Sequence, residues 1–433
     1  MSEIGQGNCI RYHSLLCGSR MRRLLFTLLL LPVLGAAHGT TALTLNEAEA
    51  LWREHSRELR LAQAALGGAV ADLRAAGQTP NPDVSMNALS ISPQSGVGAG
   101  NLKEKKMDTQ FRLDQLIERG GKRQLRVKGA EARLEAARFD VDDAARQQLG
   151  ALRYAYYNLR LAQEKLKLGR ETAALYGKSA DAGKLRQKAG DLAPVDLTRL
   201  QIDQGRAESE ARQAQTELEQ AQVALAYLIG REVEAGQLVA ADGWPDIDEK
   251  TLSQASLEQR PDLEASRRRL AAAEANRDLA RARKNRDITV GVQYEHNLQN
   301  APTHSYGVGV SVPLFIWHEY EGEIARAEAD LDVARLEFEQ LQALAQGQVN
   351  QARNALLAAR DRQQRFERGL LADAGRVAKA AEFAYTKGAM GLMDLLDARR
   401  TLRQIELEAA NARADYAKAL SDWQLQAEFR KLK

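Results

Sequence analysis

Few side chains in this sequence could do chemistry, and their spacing gives them no reaction to perform. The histidines beyond the first forty residues are His55, His296, His304 and His318. His296 and His304 flank a predicted hairpin loop, where they could meet a metal ion transiently. Their spacing is nevertheless no ligand motif, and it reads as that of ordinary polar loop residues. Both cysteines, Cys9 and Cys17, precede the predicted leader, so the mature chain is expected to hold neither a disulfide nor a reactive thiol. Gly120-Gly121-Lys122-Arg123 pairs glycines with cations, yet lacks the spaced glycines of a Walker phosphate loop. Asp394 and Asp397 stand beside a glycine-rich break with no histidine nearby. Catalysis needs a nucleophile, base or metal fixed in a protected pocket. No such set is present, so neither enzymatic activity nor a cofactor is expected.

Composition points to long packed helices. The chain has 433 residues, of which 27% are charged and only 5% aromatic, with 9 prolines. Its 61 basic and 58 acidic residues nearly balance, which argues against a nucleic-acid binder with its basic stripe. Long segments mix Ala, Leu, Gln, Glu and Arg, the strong helix formers. At the N-terminus, Met21-Arg22-Arg23 precedes an apolar run from Leu24 to Leu34 and small residues at Ala36, Ala37 and Ala42. Residues 1–42 are therefore expected to be an upstream extension plus a signal peptide, starting at Met21 and cleaved between about 37 and 42. Leu15-Leu16-Cys17-Gly18 superficially resembles a lipoprotein box, but no apolar run precedes it. After Leu34 nothing approaches the apolar length of a membrane helix, so a membrane crossing would have to use closed β-strands.

The remainder reads as two halves with one plan. Residues 43–230 form a first repeat: a helix at 45–77, strands at about 83–92 and 107–117, then helices broken between Gly190 and Pro194. Residues 231–250 form a connector. Residues 251–430 repeat the order, with a helix from about 252 to 285, strands at about 287–296 and 306–316, and helices broken between Gly388 and Gly391. Asp83-Val84-Ser85 matches Asp287-Ile288-Thr289. Gly190 precedes Asp196-Leu197 as Gly388 precedes Asp394-Leu395. Residues alike in kind and order indicate internal duplication.

Helix length is the anomaly. Residues 321–387 contain no proline, and such a helix would run about 100 Å at about 1.5 Å per residue, far beyond ordinary globular helices. Leu331, Ala334, Phe338, Leu341, Ala345, Gln348, Ala352, Ala355 and Ala359 follow a coiled-coil spacing rich in small residues. Long helices draw most of their stability from packing, so these are expected to pack on one another or on another copy. Four strands per chain cannot close a barrel; three chains would supply twelve, within the range of outer-membrane barrels. Phe111 and Leu113 would then face lipid, while Arg112 and Asp114 face a wet lumen. The predicted fold is an α/β membrane protein: an internally duplicated α-helical coiled-coil barrel joined to a trimeric twelve-stranded transmembrane β-barrel.

From Leu45 to Phe429 this arrangement resembles the TolC family of outer-membrane efflux proteins. Arg260-Pro261-Asp262-Leu263 is similar to the signature that begins the second repeat, with Ser56-Arg57-Glu58-Leu59 as a looser first-repeat counterpart. Val312-Pro313-Leu314-Phe315 resembles the second strand-to-helix junction. Residues 115–123, ending in Gly120-Gly121-Lys122-Arg123, resemble the first junction of the CzcC-like branch, which serves cobalt, zinc, cadmium and nickel efflux. Lys122 and Arg123 would suit a belt of interfacial charge there.

The resemblance implies a homotrimeric duct in outer-membrane lipid whose helical tunnel reaches through the periplasm. It implies tips at residues 190–197 and 388–397. Gly190, Asp196, Gly388 and Met390 would dock a periplasmic membrane-fusion adaptor, which couples the duct to a proton-driven resistance-nodulation-division pump of the inner membrane. Asp394, Asp397 and Tyr385 would line the narrow entrance, and Met390 stands where some members place an arginine that locks neighbouring protomers. Three copies of both aspartates would gather cations and repel anions. The expected function is a passive outer-membrane conduit for divalent metal cations. A duct for organic compounds is the alternative within transport, and a periplasmic coiled-coil scaffold the alternative outside it.

Overall fold

The structure, a computed structural model, describes residues 41–91, 107–247, 260–297 and 303–427. The predicted leader, both cysteines, the loop at 93–106, most of the loop at 297–303, the ends of the connector and of the chain, and the start of the helix predicted from 252 lie outside the described residues.

Strand β1 (Thr41–Leu43) leads into α1 (Leu45–His55). Thr44 begins α1 with a capping box: its hydroxyl accepts from the Glu47 amide at 3.2 Å and its amide donates to the Glu47 carboxylate at 2.8 Å. The single helix expected at 45–77 is interrupted. Ser56 leaves helical geometry, and its hydroxyl accepts from the Leu59 amide at 3.2 Å, starting α2 (Arg57–Ala76) afresh. A capping side chain here outcompetes continuation of the helix.

The strands are β2 (Asp83–Leu89), β3 (Asp108–Ile117), β5 (Ile288–Asn297) and β6 (Thr303–Ser311), and they form one antiparallel sheet in the order β2-β3-β5-β6. The two halves thus meet at β3 and β5. Strand β2 stops earlier than expected because Ser90 turns to φ 59°, its hydroxyl bound to Asp108 at 2.6 Å. Strand β6 begins and ends earlier than expected. Pro313, which cannot donate to a ladder, lies beyond its end.

One face of this sheet is apolar and open. Val84, Met86, Phe111, Leu113, Val292, Tyr306, Val308 and Val310 lie on it, and all are exposed. Phe111, Tyr294 and Tyr306 form an aromatic patch toward the hairpin loops. The opposite face carries Gln110, Arg112, Asp114 and Gln293. An apolar face with an aromatic edge against a polar face is the alternation of a membrane barrel wall.

Helix α3 (Lys122–Lys188) spans 67 residues, about 100 Å at about 1.5 Å per residue. It packs against α4 (Pro194–Ile229), α5 (Pro261–Ala282), α2 and α8 (Leu392–Ala427). Where α3 passes α4, a Cβ at Gly169 would lie 3.2 Å from the Ala211 Cα, so this small residue permits a close approach. In the second half α6 (Glu321–Arg365) continues through a π-helical turn, Phe366–Leu370, into α7 (Leu371–Thr386). Phe366 is buried there against Ala409 and Ala412. The uninterrupted helix expected at 321–387 therefore carries one wider turn.

The predicted seam also drifts. Leu331, Ala345 and Ala352 are buried, but Ala355 is exposed while Val349, Leu356 and Gln363 take the inner positions. A straight helix of 3.6 residues per turn rotates away from a strict heptad by about 20° per repeat.

The largest core lies partway along the helices. Trp52, Leu152, Tyr156, Leu159, Leu225 and Ile229 are buried together there. Strand β4 (Leu238–Ala240) pairs in parallel with β1 and closes over them. The Tyr156 hydroxyl donates to the Leu43 carbonyl at 3.0 Å and accepts from the Asp242 amide at 3.1 Å.

Candidate functional site

At the end of the helices remote from the sheet, two tight turns lie side by side. Helix α3 closes at Gly190, φ 84°, and α4 restarts with Pro194 in its first turn. Helix α7 closes at Gly388, φ 72°, and α8 restarts at Leu392. Leu192 and Leu392, one from each turn, pack on Tyr176, Ala180, Leu200 and Leu396. Met390 and Tyr385 pack on Ala381, Leu395 and Ala398. The second turn is thus anchored by apolar contacts, with Met390 part of them.

Basic residues tie the two turns together. Arg186 donates to the Tyr385 hydroxyl at 2.6 Å, and Arg399 donates to Ser179 and to Glu382, each at 3.0 Å. Arg199 reaches Asp196 at 3.5 Å and the Met393 sulfur at 3.4 Å. Deeper in, Arg400 donates to both oxygens of Asp203 at 2.7 Å, and only 6% of Asp203 is exposed. The Arg400 guanidinium is held above its ordinary value chiefly by this hydrogen bond, whereas partial burial pulls the other way. An open groove of about 330 Å³ runs between the hairpins, lined by Gly183, Leu200, Tyr385 and Leu396.

Asp394 and Asp397 stand apart from these pairs. Both are exposed, three residues apart at the start of α8, and neither forms an ion pair among the described residues. Arg186, Arg199, Arg399 and Arg400 all reach other partners, so none of them pairs with either carboxylate. Sequence reasoning missed those arginines and Asp203. The available signal was Asp203 itself, a carboxylate falling between Leu200 and Ala207 on the apolar face of α4.

The first strand-to-helix junction differs from an interfacial charge belt. Gly120 and Gly121 both take positive φ, and a side chain at Gly120 would collide with Asn285. Lys122 turns inward and is buried. Its ammonium donates to the Asn285 carbonyl and to both oxygens of Asp287, all at 2.8 Å. Of the pair Lys122 and Arg123, Arg123 alone is exposed. The neighbouring Arg126 pairs with Glu118 and lowers its carboxyl below the usual range, against the opposing effect of burial. This junction fastens the first half to the second.

His296 and His304 face one another across β5 and β6, with ring centroids 4.6 Å apart and planes at 17°. Near-parallel rings do not converge their in-plane lone pairs on one ion, and the His304 Nδ1 is already 2.7 Å from the Tyr294 hydroxyl. No group of three metal-ligating side chains occurs among the described residues.

Very long paired helices, ending in two turns and continuous with a sheet whose apolar face is open, define an outer-membrane efflux channel. A family model for outer membrane efflux proteins matches residues 50–231 and 252–422, and the chain belongs to that family. Its members are non-catalytic transport proteins of the outer membrane that extend into the periplasm. The cobalt-zinc-cadmium resistance protein CzcC of Cupriavidus metallidurans is 27% identical over 295 residues, covering 67% of this chain and 70% of the relative. The pyoverdine export outer membrane protein OpmQ of Pseudomonas putida is 26% identical over 269 residues, covering 60% and 54%. The outer membrane protein VceC of Vibrio cholerae shares the fold with a TM-score of 0.74 at 19% identity, covering 89% of this chain and 97% of that one.

Proposed function

We propose that three copies of the chain close a twelve-stranded barrel and a continuous helical tunnel, forming the outer-membrane duct of a tripartite exporter for divalent heavy-metal cations. The observation that carries the duct is the four-stranded sheet itself: its apolar face needs lipid, and its outer strands β2 and β6 leave open edges that neighbouring copies would pair. A periplasmic adaptor would dock on the two hairpin turns, and an inner-membrane pump of the proton-driven resistance-nodulation-division class would supply the energy. The similarity to CzcC and the unpaired Asp394 and Asp397 at the tip favour a cationic cargo. A duct for organic compounds is the second reading, favoured by the similarity to the pyoverdine exporter. Deleting the gene and profiling sensitivity to cobalt, nickel, zinc and cadmium beside a panel of organic toxicants tests the choice. Selective metal sensitivity, restored by the intact gene, is the expected result. Sensitivity confined to organic compounds would replace the metal assignment.

A further inference from the structure

We propose that Asp114 is a specificity-determining residue of the channel wall, because it holds Arg112 flat against a shelf of glycines and so keeps a cation out of the conduit. The proposal rests on the duct reading, in which the polar face of the sheet lines the lumen.

Arg112 and Asp114 are two apart on β3 and therefore share that polar face. The Arg112 Nε donates to both Asp114 oxygens, at 2.9 and 2.6 Å. The guanidinium thus runs along the wall instead of projecting away from it. The neighbouring strands make this geometry possible. Asp114 stands opposite Gly291, and Gly291 stands opposite Gly309. A Cβ at Gly291 would collide with the Asp114 carboxylate and lie 3.1 Å from the Arg112 Nη2; one at Gly309 would lie 3.5 Å from the same nitrogen. One register further, a Cβ at Gly307 would press on Gln293 at 2.9 Å, and Gln293 accepts from Gln110 at 3.2 Å. Glycine weakens a strand. Three glycines on one face of two paired strands instead leave room for a layer of side chains lying flat.

Charge shows what this layer does. Arg112 is the one cationic side chain on the polar face of the described strand residues; Asp83, Asp108 and Glu295 on that face are acidic. Released, three copies of Arg112 would make a ring of positive charge in the passage, raising a barrier to cations. Paired and lowered onto the glycines, the guanidinium is neutralised and kept from obstructing the lumen. A cationic cargo then meets a wall whose remaining charges are negative.

Planar-bilayer recordings of the purified full-length protein in asymmetric, low salt test this, since dilute salt leaves wall charges least screened. Asp114→Asn keeps the side-chain size but releases Arg112, and should lower the cation-over-anion permeability ratio severalfold. Gly291→Ala alters no formal charge, yet should shift the ratio the same way and reduce conductance by about twofold through the displaced pair. The same glycine change in an Arg112→Gln, Asp114→Asn background should have no further effect, because nothing remains to be displaced. Two results would overturn the proposal: an Asp114→Asn reversal potential equal to wild type, or a Gly291→Ala effect of equal size with and without the pair. If Gly291→Ala does not assemble as a trimer, the Asp114→Asn reversal potential decides alone. A wild-type protein that forms no pore refutes the duct reading itself, a result distinct from conducting variants that do not differ.

Discussion

Arg186 of the first hairpin donates a 2.6 Å hydrogen bond to the Tyr385 hydroxyl of the second, and its guanidinium lies 5.6 Å from the Tyr385 ring centroid. If the tip opens by parting these two helices, the contact opposes opening. Tyr385→Phe keeps the ring under the cation but removes the acceptor, whereas Arg186→Gln removes the cation. The bond is exposed, so its loss should cost about 1 kcal/mol, shifting the balance toward an open tip by about fivefold. Single-channel conductance should rise modestly in Tyr385→Phe and further in Arg186→Gln. Unchanged conductance in both would remove this contact from any role in closure.

The turn glycines should matter through conformation, not crowding. Gly190 and Gly388 have φ of 84° and 72°, and a Cβ at either would meet nothing within 4 Å. Replacement by valine would therefore strain the backbone by about 1–2 kcal/mol without a clash. Helix content and trimer assembly should survive while export and adaptor crosslinking at the turns decline. Alanine should cost less than valine, because β-branching adds to the strain. Full export activity in both valine variants would show that turn geometry is dispensable for docking.

Asp394→Asn with Asp397→Asn removes two exposed carboxylates per chain and nearly preserves their size. If they ring the entrance in three copies, cation preference in asymmetric salt should fall, and raising the salt should shrink the difference from wild type. Both residues lie in the first turns of α8, where negative charge also favours the helix dipole. A purely structural role would instead lower the melting temperature and leave the reversal potential alone. Measuring both on one preparation separates these outcomes.

How much of this was legible in the sequence follows from the range of the forces involved. Strand slots, the length of α3 and the turns at Gly190 and Gly388 are written in local periodicity and punctuation, and can be read directly. The break at Ser56 was not, since a serine followed by helix formers fits a continuous helix until its hydroxyl is seen capping the next one. Lys122 looked like a surface cation because Asp287, its buried partner, is distant in sequence and joins it only through the β3–β5 pairing. At the tip, the turns are visible in the sequence, but the arginines that join the hairpins are indistinguishable there from the rest of the 61 basic residues.

Arg260 carries a structural task that its motif alone did not reveal. Only 2% exposed, it donates to Asp262 at 2.6 Å, to Gln348 of α6 at 2.8 Å and to Gln426 of α8 at 3.0 Å. Arg146 of α3 approaches the same Asp262 at 3.6 Å. One guanidinium thus joins the start of α5 to two other helices, and Asp262 adds a third. Burial by itself would raise the Asp262 carboxyl, but the Arg260 hydrogen bond and charge, aided by Arg146, hold it below its ordinary value of 3.8. A carboxyl lowered in the folded state contributes stability that is present above its ordinary range and lost as pH falls through the lowered value. Arg260→Met should therefore cost about 3–5 kcal/mol near neutral pH, since it leaves a half-buried carboxylate short of its main partner. The gap from wild type should narrow below about pH 4, where the carboxylate becomes protonated. Adding Asp262→Asn to Arg260→Met should recover part of the loss, because the uncompensated charge goes with it. Thermal melts of the helical signal across this pH range, on wild type and both variants, measure these effects. An Arg260→Met deficit that stays constant with pH, and that Asp262→Asn does not relieve, would mean that Arg260 acts by filling space among the helices and not by its charge.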